Sequence, residues 1–125
     1  MKTLNTINYN DLFSGCGVTC KYKKFTILIH NGYFTIKYNN REIDCGCLYS
    51  NAIGKIKTEV KNIMNQHDIK YLLTLSIDDL KNNGFSSDDI EKLFSYEKLK
   101  NDTDRKHAKI NKYLMNEIKE YFIYR

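Results

Sequence analysis

Two dipeptides, Asn31-Gly32 and Asn39-Asn40, constrain what this chain can fold into more than anything else in it. Each stands between short runs of β-branched and aromatic residues. A two-residue hairpin turn of type I′ needs positive φ at both central positions, which Asn and Gly adopt at little cost. The stretch from Tyr22 to Leu48 therefore reads as a three-stranded antiparallel meander, with strands Tyr22–His30, Tyr33–Tyr38 and Arg41–Leu48. Tight turns dictate register: Ile29 faces Phe34, Ile27 faces Ile36 and Phe25 faces Tyr38, then Ile36 faces Ile43 and Phe34 faces Cys45. One side collects Phe25, Ile27, Ile29, Phe34, Ile36, Tyr38, Ile43 and Cys45. The other collects Tyr22, Lys24, Thr26, Leu28, His30, Tyr33, Thr35, Lys37, Glu42 and Asp44. A slip of one residue in either hairpin would mix the two sets.

The remainder has helical spacing. Beyond Ser50-Asn51, either of which can cap a helix, Ala52, Ile53, Ile56, Val60, Ile63 and Met64 recur at steps of three and four. That stripe is a natural cover for the apolar sheet face. The short run Ile69–Leu75 is helical or irregular core, although periodicity alone does not exclude a strand. Ser76-Ile77-Asp78-Asp79 opens a helix that ends at Asn83-Gly84. Ser86-Ser87-Asp88-Asp89 opens another through Ile90, Leu93 and Phe94. Thr103 or Asp104 caps a last helix, whose core face would be Ile110, Tyr113, Leu114, Ile118, Tyr121 and Phe122. The expected fold class is α+β: a three-stranded meander packed by an amphipathic helix, then a helical C-terminal half. At 125 residues the chain fits a single domain, with residues 1–66 forming the meander and its helix and 67–125 the helical part.

Charge is unevenly placed. The net +5 arises wholly before His67, where nine Lys/Arg face four Asp/Glu, whereas the rest carries eleven of each. An apolar fraction of 42%, with 10 Tyr and 6 Phe, excludes a disordered tail. No apolar run reaches the roughly 18 residues of a membrane span, and the first residues lack a secretory pattern, so the cytoplasm is the expected compartment. The wealth of Lys, Asn, Ile and Tyr and the absence of Pro point to a low-GC genome.

The four cysteines, Cys16, Cys20, Cys45 and Cys47, do not have zinc-knuckle spacing. With Cys20 nine residues before Ile29 on one continuous strand, and Cys45 level with Ile29, the two would lie roughly 30 Å apart. No metal or other cofactor is expected, and Cys45 reads as a small buried hydrophobe. His30, His67 and His107 have no partner at a recognisable catalytic spacing, so no enzyme activity is expected.

Counted from Ser76, Gly84 takes the ninth place, Phe85 the tenth, Ile90 the fifteenth and Leu93 the eighteenth. The segment Ser76–Phe94 is thereby similar in spacing to the helix-turn-helix of bacterial and phage repressors, with Leu80 at the fifth place where that family has a small residue. The second helix, however, would bring Asp88, Asp89 and Glu91 to the end that enters the major groove, where phosphates repel them. With Asp78 and Asp79 these residues form an acidic knob opposed by Lys81 alone, better matched to a basic protein groove. The open sheet face offers Tyr22, Lys24, Tyr33 and Lys37, a mixture suited either to nucleic acid or to a protein partner.

In size, composition and charge pattern the chain resembles small phage and mobile-element proteins of low-GC bacteria, including anti-CRISPR inhibitors, with no motif shared. The resemblance implies a non-catalytic inhibitor of a host nucleic-acid-handling protein, such as a CRISPR effector nuclease or its guide-RNA complex, and a knob that imitates phosphate charge. The alternative is a nucleic-acid-binding protein or small transcriptional regulator using the basic sheet face or the helix pair.

Overall fold

The computed structural model describes residues 2–48 and 52–125. The chain is α+β and falls into two compact units, Met1–Met64 and Asn65–Arg125. The first holds a five-stranded sheet in the order β1 (Lys2–Thr3), β2 (Val18–Tyr22), β3 (Phe25–His30), β4 (Tyr33–Tyr38), β5 (Arg41–Cys47). Strands β2 to β5 form an antiparallel meander, and β1 pairs with β2 in parallel. Between β1 and β2 run a 3-10 turn, Leu4–Thr6, and a one-turn helix α1 (Tyr9–Leu12) capped by Asn8.

The expected three strands are thus five: the stretch Tyr22–His30 is broken by a hairpin that adds β2, and Lys2–Thr3 adds β1 by pairing in parallel with it. The chain reverses at Lys23-Lys24, and Tyr22 pairs with Phe25. Lys23 has φ of 53°, a value uncommon for a residue with a long side chain. A Lys-Lys pair gives no turn signal, which is why the reversal is invisible in the sequence. The two asparagine turns form as expected, with φ of 47° and 82° at Asn31 and Gly32 and of 50° and 63° at Asn39 and Asn40.

Across β3 and β4 the register is the expected one, Ile29 with Phe34 and Ile27 with Ile36. Across β4 and β5 it holds only for the first two pairs, Tyr38 with Arg41 and Lys37 with Glu42. A bulge then inserts Ile43, so Ile36 faces Asp44, Thr35 faces Cys45 and Phe34 faces Gly46. The expected pairs Ile36–Ile43 and Phe34–Cys45 are therefore displaced by one residue, and Cys45 turns outward and is exposed. Gly46 explains the preference. A Cβ there would lie 2.6 Å from Cζ of Phe34, so only glycine lets the ring lie across the strand. Gly46→Val is expected to destabilise the β unit by about 1–3 kcal/mol in urea melts, with partial recovery when Phe34→Leu is added. An unaltered midpoint would remove the ring from this position.

The core side of the sheet holds Cys20, Phe25, Ile27, Ile29, Phe34 and Ile36, all buried. Helix α2 (Ile53–Asn65) buries Ile56, Val60 and Met64, one residue per turn, and Leu4, Ile7 and Leu12 close the same core. Of the other stripe residues expected to be buried, Ala52 is exposed and Ile53 and Ile63 are half-buried. The cap anticipated at Ser50 or Asn51 lies outside the described residues.

The second unit is helical: α3 (Ile69–Leu72), α4 (Ile77–Asn82), α5 (Ser87–Asn101) and α6 (Ala108–Ile123), with a 3-10 turn at Arg105–His107. Its core is Ile69, Leu72, Leu80, Phe85, Ile90, Leu93, Tyr96 and Phe122. Helix α6 packs through Asn111, Met115, Ile118 and Phe122. That is one step around the helix from the expected stripe, and Ile110, Tyr113, Leu114 and Tyr121 are exposed. The two stripes are adjacent and nearly equally apolar, so periodicity could not choose between them. Asn111 belongs to the inner one because its amide donates to Asp102 Oδ2 at 2.9 Å. Among the described residues no helix is long and apolar enough to cross a membrane.

Candidate partner-binding surfaces

The α4–α5 corner is built as its sequence requires. The Ser76 hydroxyl accepts from the Asp79 amide at 3.1 Å and the Ser86 hydroxyl from the Asp89 amide at 3.2 Å, each satisfying a donor that a helix start leaves open. Helix α4 ends in a Schellman turn. Phe85 N–H donates to the Leu80 carbonyl, Gly84 N–H donates to the Lys81 carbonyl, and Gly84 has φ of 86°. The accompanying apolar contact is Phe85 with Leu80, both in the core. Phe85, Ile90 and Leu93, which match the helix-turn-helix spacing, and Leu80, which departs from it, are all buried.

Of the five acids in the expected knob, Asp78, Asp79, Asp88 and Glu91 are exposed and Asp89 is not. Asp89 is 2% exposed. Its Oδ1 accepts from the Tyr121 hydroxyl at 2.7 Å, and its Oδ2 accepts from the Ser86 amide and pairs with Arg125, both at 3.1 Å. Burial pushes this carboxyl up. The Tyr121 and Ser86 hydrogen bonds and the Arg125 charge pull harder, leaving it below the ordinary aspartate value. The Tyr121 hydroxyl is raised in turn by its bond to Asp89. Arg125 also donates to the Gly84 carbonyl at 3.1 Å and stacks 4.2 Å from the Phe85 ring, and Lys92 lies 4.4 Å from the Tyr121 ring. Asp89 is therefore a structural tie that closes α6 onto the α4–α5 corner.

Beside the four exposed carboxylates stand two large apolar side chains that composition did not single out. Ile77 is 46% and Phe94 52% exposed, and both border a shallow recess of about 40 Å³ lined also by Leu73, Leu75, Leu80 and Glu97. Glu91 and Glu97 flank Phe94 at i−3 and i+3 on the same helix face. A wider, open groove of about 720 Å³ lies at the α5–α6 end, lined by Ser95, Lys98, Leu99, Asn101, Asp102 and Leu114. Asp102 there is already engaged by Asn111 and by the Asp104 amide.

The sheet-face residues separate into two groups. Tyr33, 60% exposed, and Lys37 lie on the outer face. Tyr22 does not: pairing with Phe25 places it on the core side, where Lys61 of α2 sits 5.7 Å from its ring. Lys24 lies in the turn, 5.6 Å from the Phe25 ring. The Lys23-Lys24 reversal is the cause, since residues 22 and 25 share a face across a two-residue turn but not along a continuous strand. His30 Nε2 is 2.8 Å from the Gly15 carbonyl oxygen.

The same hairpin revises the cysteine geometry. Cys20 pairs with Ile27 rather than extending β3, so three strand spacings, about 14 Å, separate its strand from that of Cys45, in place of roughly 30 Å. The two thiols are on opposite faces: Cys20 is fully buried and pushed up to about 11, chiefly by burial and secondarily by the charge of Asp11, while Cys45 is exposed. All four cysteines are free thiols, and among the described residues no group of three or more His, Cys, Asp or Glu could hold a metal ion. No protein-family model, curated protein or solved structure matches this chain.

Proposed function

We propose that this chain is a non-catalytic phage or mobile-element protein that binds and inhibits a nucleic-acid-handling host protein through its α4–α5 face. The observation that carries the reading is the exposed pair Ile77 and Phe94 on the same two helices as the exposed Asp78, Asp79, Asp88 and Glu91. Apolar anchors bordered by charge are the usual anatomy of a protein-binding surface, the anchors supplying affinity and the charges selecting the partner. Carboxylates at this density repel bare nucleic acid, so the helix pair does not suit a major groove. They match a positively charged protein channel, and such channels belong to proteins that hold DNA or RNA. The resemblance to anti-CRISPR inhibitors supplies the target class, a CRISPR effector nuclease or its guide-RNA complex.

The test is DNA cleavage by a panel of purified effector nucleases with the protein added. The expected result is inhibition of at least one, weakened about 10- to 100-fold by Asp78→Lys with Asp88→Lys, and by a similar factor in Phe94→Ala. Inhibition that survives both variants at full strength, in proteins whose circular dichroism is unaltered, rejects this face. No inhibition of any effector rejects the target class.

A further inference from the structure

We infer that the β unit has a second binding surface, a cationic end of the sheet that takes the phosphate backbone of nucleic acid. The inference is independent of the α4–α5 face. The turns Lys23-Lys24 and Asn39-Asn40 lie at the same end of the sheet, because Asn31-Gly32 between them occupies the other. Lys21, Thr26, Lys37 and Glu42 form one row across β2 to β5 on the outer face. Strands about 4.8 Å apart then put Lys21 and Lys37 about 10 Å apart at Cα. Lys23 and Lys24 occupy one turn and Arg41 follows the other.

Five cations scattered from residue 21 to residue 41 thus converge, and the acids of β5 are Glu42 and Asp44. The surplus of three positive charges is most of the net +5 of the whole chain. Its chemistry favours nucleic acid over a lipid surface. Membrane-docking patches add large exposed apolar anchors to their cations, and the exposed apolar side chains of this sheet, Leu28 and Tyr33, lie toward the Asn31-Gly32 end. What accompanies the cations is the exposed amide pair Asn39-Asn40, groups that hydrogen-bond base edges. Outer-face lysines about 10 Å apart, with cationic turns and exposed amides at the same end, fit a backbone lying across the strands.

The test is fluorescence anisotropy of the full chain with a labelled oligonucleotide, single-stranded and as a duplex, at about 50 and 200 mM salt. Three phosphate contacts predict an affinity that falls about 20- to 40-fold across that range. The variant Lys21→Ala/Lys37→Ala/Arg41→Ala should bind at least about 10-fold more weakly and lower the log–log salt slope by about three. The pair Lys21→Gln/Lys37→Gln, expected to lower it by about two, gives the same reading if the triple variant folds poorly. Asp78→Lys with Asp88→Lys should leave this binding in place, which separates the two surfaces. No binding of either oligonucleotide at 50 mM salt overturns the inference. So does binding that the lysine variants leave unmoved, or capture by anionic phospholipid vesicles with none of either oligonucleotide.

Discussion

Asp89→Ala is expected to lower the stability of the helical unit by about 3 kcal/mol, since hydrogen bonds to a charged group are worth about 1.5–3 kcal/mol each and this carboxylate serves three donors. A unit of this size has only about 3–9 kcal/mol in total, so the variant should lose from about a third to all of it. Arg125, a third exposed, can turn to water when its partner is lost. The Tyr121 hydroxyl and the Ser86 amide then account for most of the cost. Tyr121→Phe should lose about 1–1.5 kcal/mol by itself and much less on the Asp89→Ala background, a coupling that a double-mutant cycle in urea measures. The sign of the pH dependence follows from the lowered carboxyl. Its contribution is complete above the unfolded-state value of about 3.9 and is lost as pH falls through the lower native value. Acid titration of the helical circular dichroism signal should show this loss in the parent and not in Asp89→Asn. Full stability of Asp89→Ala would show that the carboxylate is not the tie described.

The second large effect belongs to the sheet. Phe25→Ala is expected to cost about 3–5 kcal/mol, because the ring is completely buried and meets Tyr38 edge-on at 6.2 Å between centroids. Tyr33→Ala, also aromatic and also at a strand end beside a turn, should fall within about 0.5 kcal/mol of the parent, because its side chain faces solvent. The contrast tests which face of the meander is inside. Equal losses at the two positions would contradict the assignment of faces.

How much could be read in advance depended on how local the determining physics was. The β3–β4 register was legible because Asn31-Gly32 states its geometry in two residues and the flanking alternation agrees with it. Ser76, Gly84 and Ser86 were legible for the same reason, since a cap or a left-handed C′ position concerns one turn of backbone. The Lys23-Lys24 turn was not legible, because nothing in those side chains favours reversal and pairing of β2 with β3 has to hold Lys23 at positive φ. That one turn moved Tyr22 to the core side, brought Cys20 nearer to Cys45 and added a strand.

The candidate surfaces divide in the same way. Asp78, Asp79 and Asp88 announced themselves as helix-start acids, and with Glu91 they are exposed. The removal of Asp89 from that group depends on Tyr121 and Arg125, more than thirty residues distant along the chain. The cationic sheet end likewise exists only once the two turns are folded together.

By itself, then, the order of amino acids determined the α+β class, two of the three hairpin turns, the caps of the helical corner and the excess of positive charge in the first half. Each of these is settled by interactions within a few residues, where propensity and periodicity act directly. Tertiary structure alone decided the bulge at Ile43, the inner face of α6, the burial of Asp89 and the gathering of the cations. In each of those, close packing or a long-range partner selects between alternatives that are nearly equal in local free energy.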